Sequence, residues 1–218
     1  KGFTEAGWAE KTTALLDAEF KQGAVAVKIW TNVGLIERDE KGQLIFIDDP
    51  RFDPVIAHII KAGKVVINHQ GEPKNCWLPM DEMSTDNDRE YFSHHPEYYM
   101  YLHPEMPSYE ALMATRDRFV SHHPDMKFVG AHFASLEWSV DEAAKFLDAY
   151  PNANIELAAR ITQIQAQSVK DYDKVRNFFI TYQDRIMYGT DLTLNPGDDP
   201  AAFKTEAHKY WLSDWTYL

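Results

Sequence analysis

The chain has 218 residues, of which 44% are hydrophobic and 13% aromatic, and this is enough apolar material for one sizeable core. Its formal net charge of -12 argues against nucleic acid and anionic membranes as partners, because both are bound by clustered Lys and Arg. The single cysteine, Cys76, excludes an internal disulfide, and no apolar run is long enough to span a bilayer.

Short β-branched apolar runs alternate with helical patterns along the chain, which is typical of parallel βα units. These patterns predict strands at about 24–31, 64–69, 127–132, 153–158 and 185–190, and helices at about 5–21, 53–62, 108–121, 139–149 and 170–182. An aromatic-rich segment without periodicity, at about 70–107, favours an active-site cover. No repeat or linker divides the chain, so we expect a single domain over 1–218.

Polar residues recur at the ends of the predicted strands. His69 ends the second strand, His132 ends the third, and Asp191 directly follows the fifth. The C-terminal ends of parallel strands meet at one edge, where barrel and open-sheet enzymes both build their sites. A lone histidine at a strand end is more often a hydrogen-bonded core residue, but three such coincidences favour a shared site. Two imidazoles and a carboxylate suit Zn²⁺ or a similar ion.

Two basic residues near the same strands each have two interpretations. Lys28 lies on the face of the first strand that points away from the helices, where it could pair with Glu156. The alternative is a contact with a substrate carboxylate or, after carbamylation, a bridge between metal ions. Arg160 follows the fourth strand, where it could cap the strand end through an ion pair or clamp an anionic substrate.

The remaining histidines and the cysteine fit structural roles better than catalytic ones. Most of these histidines lie in or beside His-Pro steps that are typical of turns; His58 lies on the predicted helix at 53–62, and His208 lies in a polar terminal helix. They are His58, His94, His95, His103, His122, His123 and His208. Cys76 has no neighbouring His and Asp pattern, so we do not expect a cysteine nucleophile.

Four segments resemble, in order and spacing, the later strands of the amidohydrolase-related metal-dependent hydrolases. They are Gly-Ala-Val-Ala-Val-Lys28-Ile-Trp, Val-Val-Ile-Asn-His69-Gln-Gly-Glu-Pro, Phe-Val-Gly-Ala-His132-Phe-Ala and Ile-Met-Tyr-Gly-Thr-Asp191. That group includes lactonases, amide hydrolases and zinc decarboxylases related to amino-carboxymuconate-semialdehyde decarboxylase. The resemblance implies an α/β protein with a (β/α)8 TIM barrel, of which this chain would hold strands four to eight.

The family's first strand carries a His-x-His pair of metal ligands, and no such pair occurs in this sequence. We therefore expect the N-terminal strands to be missing from this chain and to precede Lys1. A signal peptide would also lie upstream, so we place the protein in the cytoplasm by default and leave export open.

The resemblance also implies roles for the site residues. His69 and Asp191 are predicted metal ligands, most simply of Zn²⁺; Asp191 would also move a proton, and His132 would orient a water. Three charged residues are predicted to bind substrate, namely Lys28, Glu72 and Arg160. The implied reaction is hydrolysis of an ester, lactone or amide of a small anionic substrate by metal-activated water.

Two alternatives stay open. One is zinc-dependent decarboxylation of a small carboxylic acid, because the later-strand residues are shared by both chemistries. The other is a non-catalytic barrel that holds a small anionic ligand. In every case the predicted partner is a small molecule, and the sequence is also compatible with a homo-oligomer.

Overall fold

Five parallel strands form one sheet in the computed structural model, which describes residues 2–218. The strands are β1 Ala26–Ile29, β2 Val65–Asn68, β3 Lys127–Gly130, β4 Ala153–Glu156 and β5 Ile186–Met187. Each strand pairs with the one before it, so the spatial order is β1-β2-β3-β4-β5. All five predicted strands are present, each shorter than its apolar run.

Eight α-helices of nine residues or more lie within the described part of the chain. They are α1 Trp8–Lys21, α2 Asp53–Lys61, α3 Asp86–His94, α4 Tyr109–His122, α5 Val140–Ala149, α6 Ile161–Lys170, α7 Tyr172–Tyr182 and α8 Pro200–Tyr217. Side-chain caps fix where several begin: Ser108 accepts a hydrogen bond from the Ala111 N–H, and Ser139 accepts one from the Glu142 N–H. Among residues 2–218, none of the helices has both the length and the apolar character of a membrane span.

The helices cover one face of the sheet. Val66, Phe128 and Ile155 are fully buried in the main core, and Val27 and Ile29 pack against that core. The intervening residues of neighbouring strands form a row on the opposite face: Lys28, Ile67, Val129 and Asn154. A doubly wound sheet reverses its strand order and carries helices on both faces, whereas a barrel wall does neither. The five strands therefore form a barrel-type wall, and the row that includes Lys28 lies on its interior face.

In the sequence Val25, Val27 and Ile29 alternate with Ala26, Lys28 and Trp30, which predicts that Val25 also faces the helices. That assignment is wrong, because Val25 precedes β1 and its side chain is 71% exposed.

The aperiodic segment 70–107, which we call the cover segment, is folded and contains α3 and several short 3-10 turns. Its own apolar cluster contains Cys76, Met83, Phe92 and Tyr99. Oδ2 of Asp88 on α3 accepts a hydrogen bond from Asn75 within the segment at 2.7 Å, and a second from Gln163 of α6 at 2.9 Å attaches the segment to the rest of the protein. The segment is thus anchored beside the C-terminal ends of the strands, where a cover would have to lie.

Candidate active site

His69 and His132 lie side by side at the C-terminal edge of the sheet. His69 directly follows β2, and its backbone N–H donates to the Ile29 carbonyl of β1 at 2.9 Å. His132 follows β3, and the centroids of the two imidazole rings are 4.2 Å apart at an interplanar angle of 58°. Both side chains are buried. The structure therefore brings together two of the residues that the sequence places at strand ends.

The His69 imidazole is neutral and has no hydrogen-bond partner among the described residues. Both ring nitrogens are buried and unpaired. Burial, first of all, and the charges of His132, Arg160 and Lys28 together lower the pKa of His69 to about 3. A neutral imidazole keeps a lone pair for a metal ion or a proton, so this side chain is in its ligating form at neutral pH.

His132 begins a turn with an unusual backbone, which we call the left-handed turn, residues His132–Ser135. The φ angles of its four residues are 55°, 61°, 53° and 58°, although none of them is glycine. The left-handed region costs an L-residue roughly 1–2 kcal/mol, so four in succession cost several kcal/mol. Such strain persists only where surrounding contacts hold it, and it is concentrated at functional sites.

Three side-chain hydrogen bonds hold the later residues of the left-handed turn, one made by the turn itself and two made by helix α4. Within the turn, Ser135 donates from Oγ to the Gln70 carbonyl at 2.7 Å, which ties the turn to the residue after His69. Tyr109 of α4 donates its hydroxyl to the Ser135 carbonyl, and Arg116 of the same helix donates to the Ala134 carbonyl. Helix α4 therefore holds the turn from the helix side of the sheet.

The His132 ring is held by a carbonyl of the next strand's loop. Its Nδ1 lies 2.9 Å from the Ala158 oxygen, which assigns the proton to Nδ1 and leaves Nε2 as the acceptor. Burial lowers the pKa of His132, as does Arg160, while the hydrogen bond to Ala158 and the charges of Glu156 and Asp191 act in the opposite direction. The geometry therefore presents Nε2 to the site.

Asp191, the third residue of the predicted trio, follows β5 and is exposed. Its backbone φ is 62°, and its charge acts on His132. Within residues 2–218, however, no group of three or more His, Cys, Asp or Glu side chains is arranged to hold a metal ion. His69 fits one position of a metal site through its unpaired nitrogens, and Asp191 offers a carboxylate on the same edge. These residues fit part of a ligand set.

The three predicted substrate-binding residues have different environments. Arg160 is buried with Nε unpaired, while its Nη1 donates to the Ala159 carbonyl at 2.9 Å. Glu72 is partly buried; burial raises its pKa and the Arg160 charge lowers it. Lys28 is exposed on the interior face, and its Nζ lies 4.6 Å from the centroid of the Trp30 ring.

The ion pair between Lys28 and Glu156, one of the two alternatives for Lys28, is not formed. Both residues lie on the interior face, but β1 and β4 are three strand steps apart, which is about 14 Å across a sheet. The Glu156 oxygens are instead occupied by backbone N–H groups of His132 and Ala158. Sharing a face was therefore not sufficient for contact.

Sequence reasoning missed three polar residues of this site. Asn68 and Gln70 flank His69, and all four of their side-chain amide atoms are buried without a partner. Glu137 lies in the loop after β3 and is 1% exposed; its Oε1 accepts from the Lys74 N–H at 2.8 Å, and its Oε2 is unpaired. The sequence offered one signal for Glu137: it is a charged residue between the apolar Leu136 and Trp138 in the loop after β3.

The fold and the site together define a parallel β/α protein of the barrel type, with a polar site at the C-terminal ends of its strands. The chain belongs to the amidohydrolase family, whose model matches residues 3–212. This confirms the family and the fold class that the strand segments predict. None of the curated proteins matches the chain significantly.

Three solved structures illustrate the likeness. 2,6-Dihydroxybenzoate decarboxylase from Rhizobium is 17% identical, with a TM-score of 0.52 over 84% of this chain and 57% of that one. The 2,6-dihydroxybenzoate decarboxylase complexed with 2,6-dihydroxybenzoate is 15% identical, with a TM-score of 0.50 over 84% and 56%. An uncharacterized TIM-barrel protein from Bordetella bronchiseptica is 19% identical, with a TM-score of 0.47 over 86% and 51%. At these identities the likeness concerns the fold, and the chain spans about half the length of each.

Proposed function

We propose that the protein is a metal-dependent hydrolase that attacks the ester, lactone or amide carbonyl of a small anionic substrate. One observation carries this proposal. The buried side-chain nitrogen and oxygen atoms without a partner in residues 2–218 all belong to residues at the C-terminal ends of β2, β3 and β4. They come from Asn68, His69, Gln70, Glu137 and Arg160. An unpaired buried polar group costs about 1–3 kcal/mol, so their concentration at one edge favours a site for a polar ligand.

His69 and Asp191 are the residues described here that would hold the metal ion, as part of a larger set of ligands. A divalent ion supplies a Lewis acid that polarises a carbonyl and lowers the pKa of bound water. His69 suits this role because its imidazole is neutral and both its nitrogens are unpaired. Asp191 is exposed at the same edge, so its carboxylate is accessible to take a proton from water and deliver it to a leaving group.

His132 and the charged residues would orient the reactants. His132 donates through Nδ1 to the Ala158 carbonyl, so its Nε2 can accept a proton from water. Arg160 is a permanent cation with an unpaired Nε, and a guanidinium is well suited to clamp a carboxylate. Lys28 adds positive charge on the interior face. Glu72 can accept a hydrogen bond from a hydroxyl or amino group of the substrate. This balance favours an anionic substrate that also carries hydrogen-bond donors.

Decarboxylation of a small carboxylic acid is the second candidate. Two of the solved structures named above, with TM-scores of 0.52 and 0.50, are 2,6-dihydroxybenzoate decarboxylases, and this favours a carboxylate leaving as carbon dioxide. The residues proposed here would serve either reaction, because each needs an oxygen anion to be held and a proton to be moved. Assays with lactones and amides on one hand and aromatic carboxylates on the other distinguish the two by their products.

The decisive experiment measures bound metal and turnover on the same preparations of two variants. Asp191→Asn keeps the shape and one ligating oxygen but loses the basic site. We expect most of its metal to remain and its turnover to fall by about 10²–10⁴, the usual contribution of a positioned general acid-base. His69→Ala should lose metal first and activity as a consequence.

The matched control is His94→Ala on α3, which removes an exposed imidazole from the cover segment and should change neither quantity. Near wild-type turnover of metal-loaded Asp191→Asn would end the proton-transfer role of Asp191. A protein that binds anions but holds no metal and turns over none of these substrates would instead fit the non-catalytic alternative.

A further inference from the structure

Glu156, the last residue of β4, binds two backbone N–H groups with its two carboxylate oxygens. Oε1 accepts from the His132 N–H at 2.5 Å, and Oε2 accepts from the Ala158 N–H at 2.7 Å. His132 is the first residue of the left-handed turn, and Ala158 provides the carbonyl that holds the His132 ring. One side chain therefore fixes the backbone of the histidine and also the residue that sets its tautomer.

No neutral side chain of the same length can replace this arrangement. A carboxylate offers two acceptors and no donor, whereas a glutamine amide offers one acceptor and an NH₂ group that would face the second N–H. Hydrogen bonds from N–H groups to an ionised acceptor are also shorter and stronger than neutral ones. The two donors lie on different loops, so the carboxylate links the β3 loop to the β4 loop.

Gly189 keeps the position of this carboxylate open from the neighbouring strand. A Cβ at this residue, just beyond β5, would lie 2.8 Å from Oε2 of Glu156 and 3.3 Å from the Ala158 Cβ. Any larger residue would displace the Glu156 carboxylate or the Ala158 loop. This explains a glycine at a position where the backbone itself requires none.

We propose that Glu156 is a positioning residue, which holds the left-handed turn so that His132 faces His69 at the site. It acts through His132 and has no contact with substrate. The inference rests on the proposed function for the task of His132, but the hold on the turn can be measured without substrate or metal. The three side-chain hydrogen bonds described above hold Ala134 and Ser135. The backbone N–H of His132, the first residue of the turn, is held by Glu156.

The test compares wild-type protein with Glu156→Gln by NMR. Amide hydrogen exchange at His132 and Ala158 should become about ten- to hundredfold faster at one or both, because a charge-assisted hydrogen bond is lost. The cross-relaxation signal between the His69 and His132 rings, strong at a centroid distance of 4.2 Å, should weaken. Exchange at Phe128 and Val129 of β3 should stay within about twofold, which separates positioning from a general loss of stability.

Two further variants complete the test. Glu142→Gln removes the same charge from a partly exposed residue on α5 that binds Lys145, and it should leave the His132 amide unchanged. Gly189→Ala keeps the Glu156 carboxylate but crowds it, so it should reproduce the changes seen in Glu156→Gln. It also decides the matter if Glu156→Gln does not fold.

Unchanged exchange and an unchanged ring–ring signal in Glu156→Gln would overturn the proposal. Equal acceleration throughout β3, or loss of folding in both site variants, would also overturn it, because Glu156 would then be a stabilising residue without a specific task. If the expected NMR changes occur but the protein holds no metal and shows no turnover, the proposed function fails while the positioning role stands.

Discussion

Acid should destabilise the metal-free protein through His69, and replacement of this residue by Gln should remove that sensitivity. Burial lowers the pKa of His69 from 6.5 to about 3 in the folded protein. As the pH falls below 6.5, the unfolded chain takes up a proton that the folded protein does not bind. Unfolding is therefore favoured, and this contribution to stability is present above pH 6.5 and is lost as the pH falls toward 3.

The size of the effect follows from the pKa difference. Each pKa unit corresponds to about 1.4 kcal/mol, so a fall from pH 7 to pH 4.5 should remove about 2–3 kcal/mol of unfolding free energy through His69 alone. His132 acts in the same direction, because burial lowers its pKa as well. A comparison with a His69 variant isolates the part of the pH dependence that comes from this residue.

Urea unfolding at pH 7 and pH 4.5, with a chelator present, measures this contribution. Wild-type protein should lose about 2–3 kcal/mol more than His69→Gln over this interval. His208→Gln, which removes an exposed histidine on α8, should lose as much as wild type. Equal losses in wild type and His69→Gln would refute the inference that His69 is neutral in the folded protein.

Two further predictions concern the supports of the site. Gly130→Ala should destabilise the protein by about 1–3 kcal/mol in urea unfolding, because the new Cβ would lie 2.4 Å from the Ala134 Cβ within the left-handed turn. A change in unfolding free energy below the error of the measurement would show that the left-handed turn can shift to admit the added methyl group. Asp88→Asn should loosen the cover segment, since Asp88 accepts hydrogen bonds from both Asn75 and Gln163. Limited proteolysis should then cut within 70–107 faster than in wild type, and unchanged cleavage would show that the anchor lies elsewhere.

The positions of His69 and His132 could be predicted because each follows a strong β-branched or apolar run. Short runs rich in Val and Ile and bounded by turn residues favour strands, and the end of a parallel strand fixes the edge at which its last side chain lies. The helices that the sequence did not reveal are α3 and α6. Both are short and polar: α3 begins Asp-Asn-Asp-Arg, and α6 contains Gln at every second position from 163 to 167. Each buries few apolar residues, Phe92 in α3 and Ile161 and Ile164 in α6, and the hydrogen bond between Asp88 and Gln163 joins the two helices.

The finer geometry of the site could not be predicted from residue patterns. Ala-His-Phe-Ala-Ser contains no glycine or asparagine, so nothing in it indicates four left-handed residues. Alternation placed Lys28 and Glu156 correctly on one face, but it carries no information on how many strands separate them. Whether Glu156 meets a lysine or two backbone N–H groups is decided by loops that fold only once the strands are paired.

A titration of metal-free protein with Zn²⁺, followed through the imidazole ¹⁵N signals, tests the central claim most directly. The claim is that the unpaired polar edge around His69 is a metal and substrate site. A His69 nitrogen should shift first, and His69→Ala should abolish this binding while His94→Ala preserves it. Zn²⁺ binding that leaves the His69 signals unchanged, or that is lost only in His94→Ala, would contradict it.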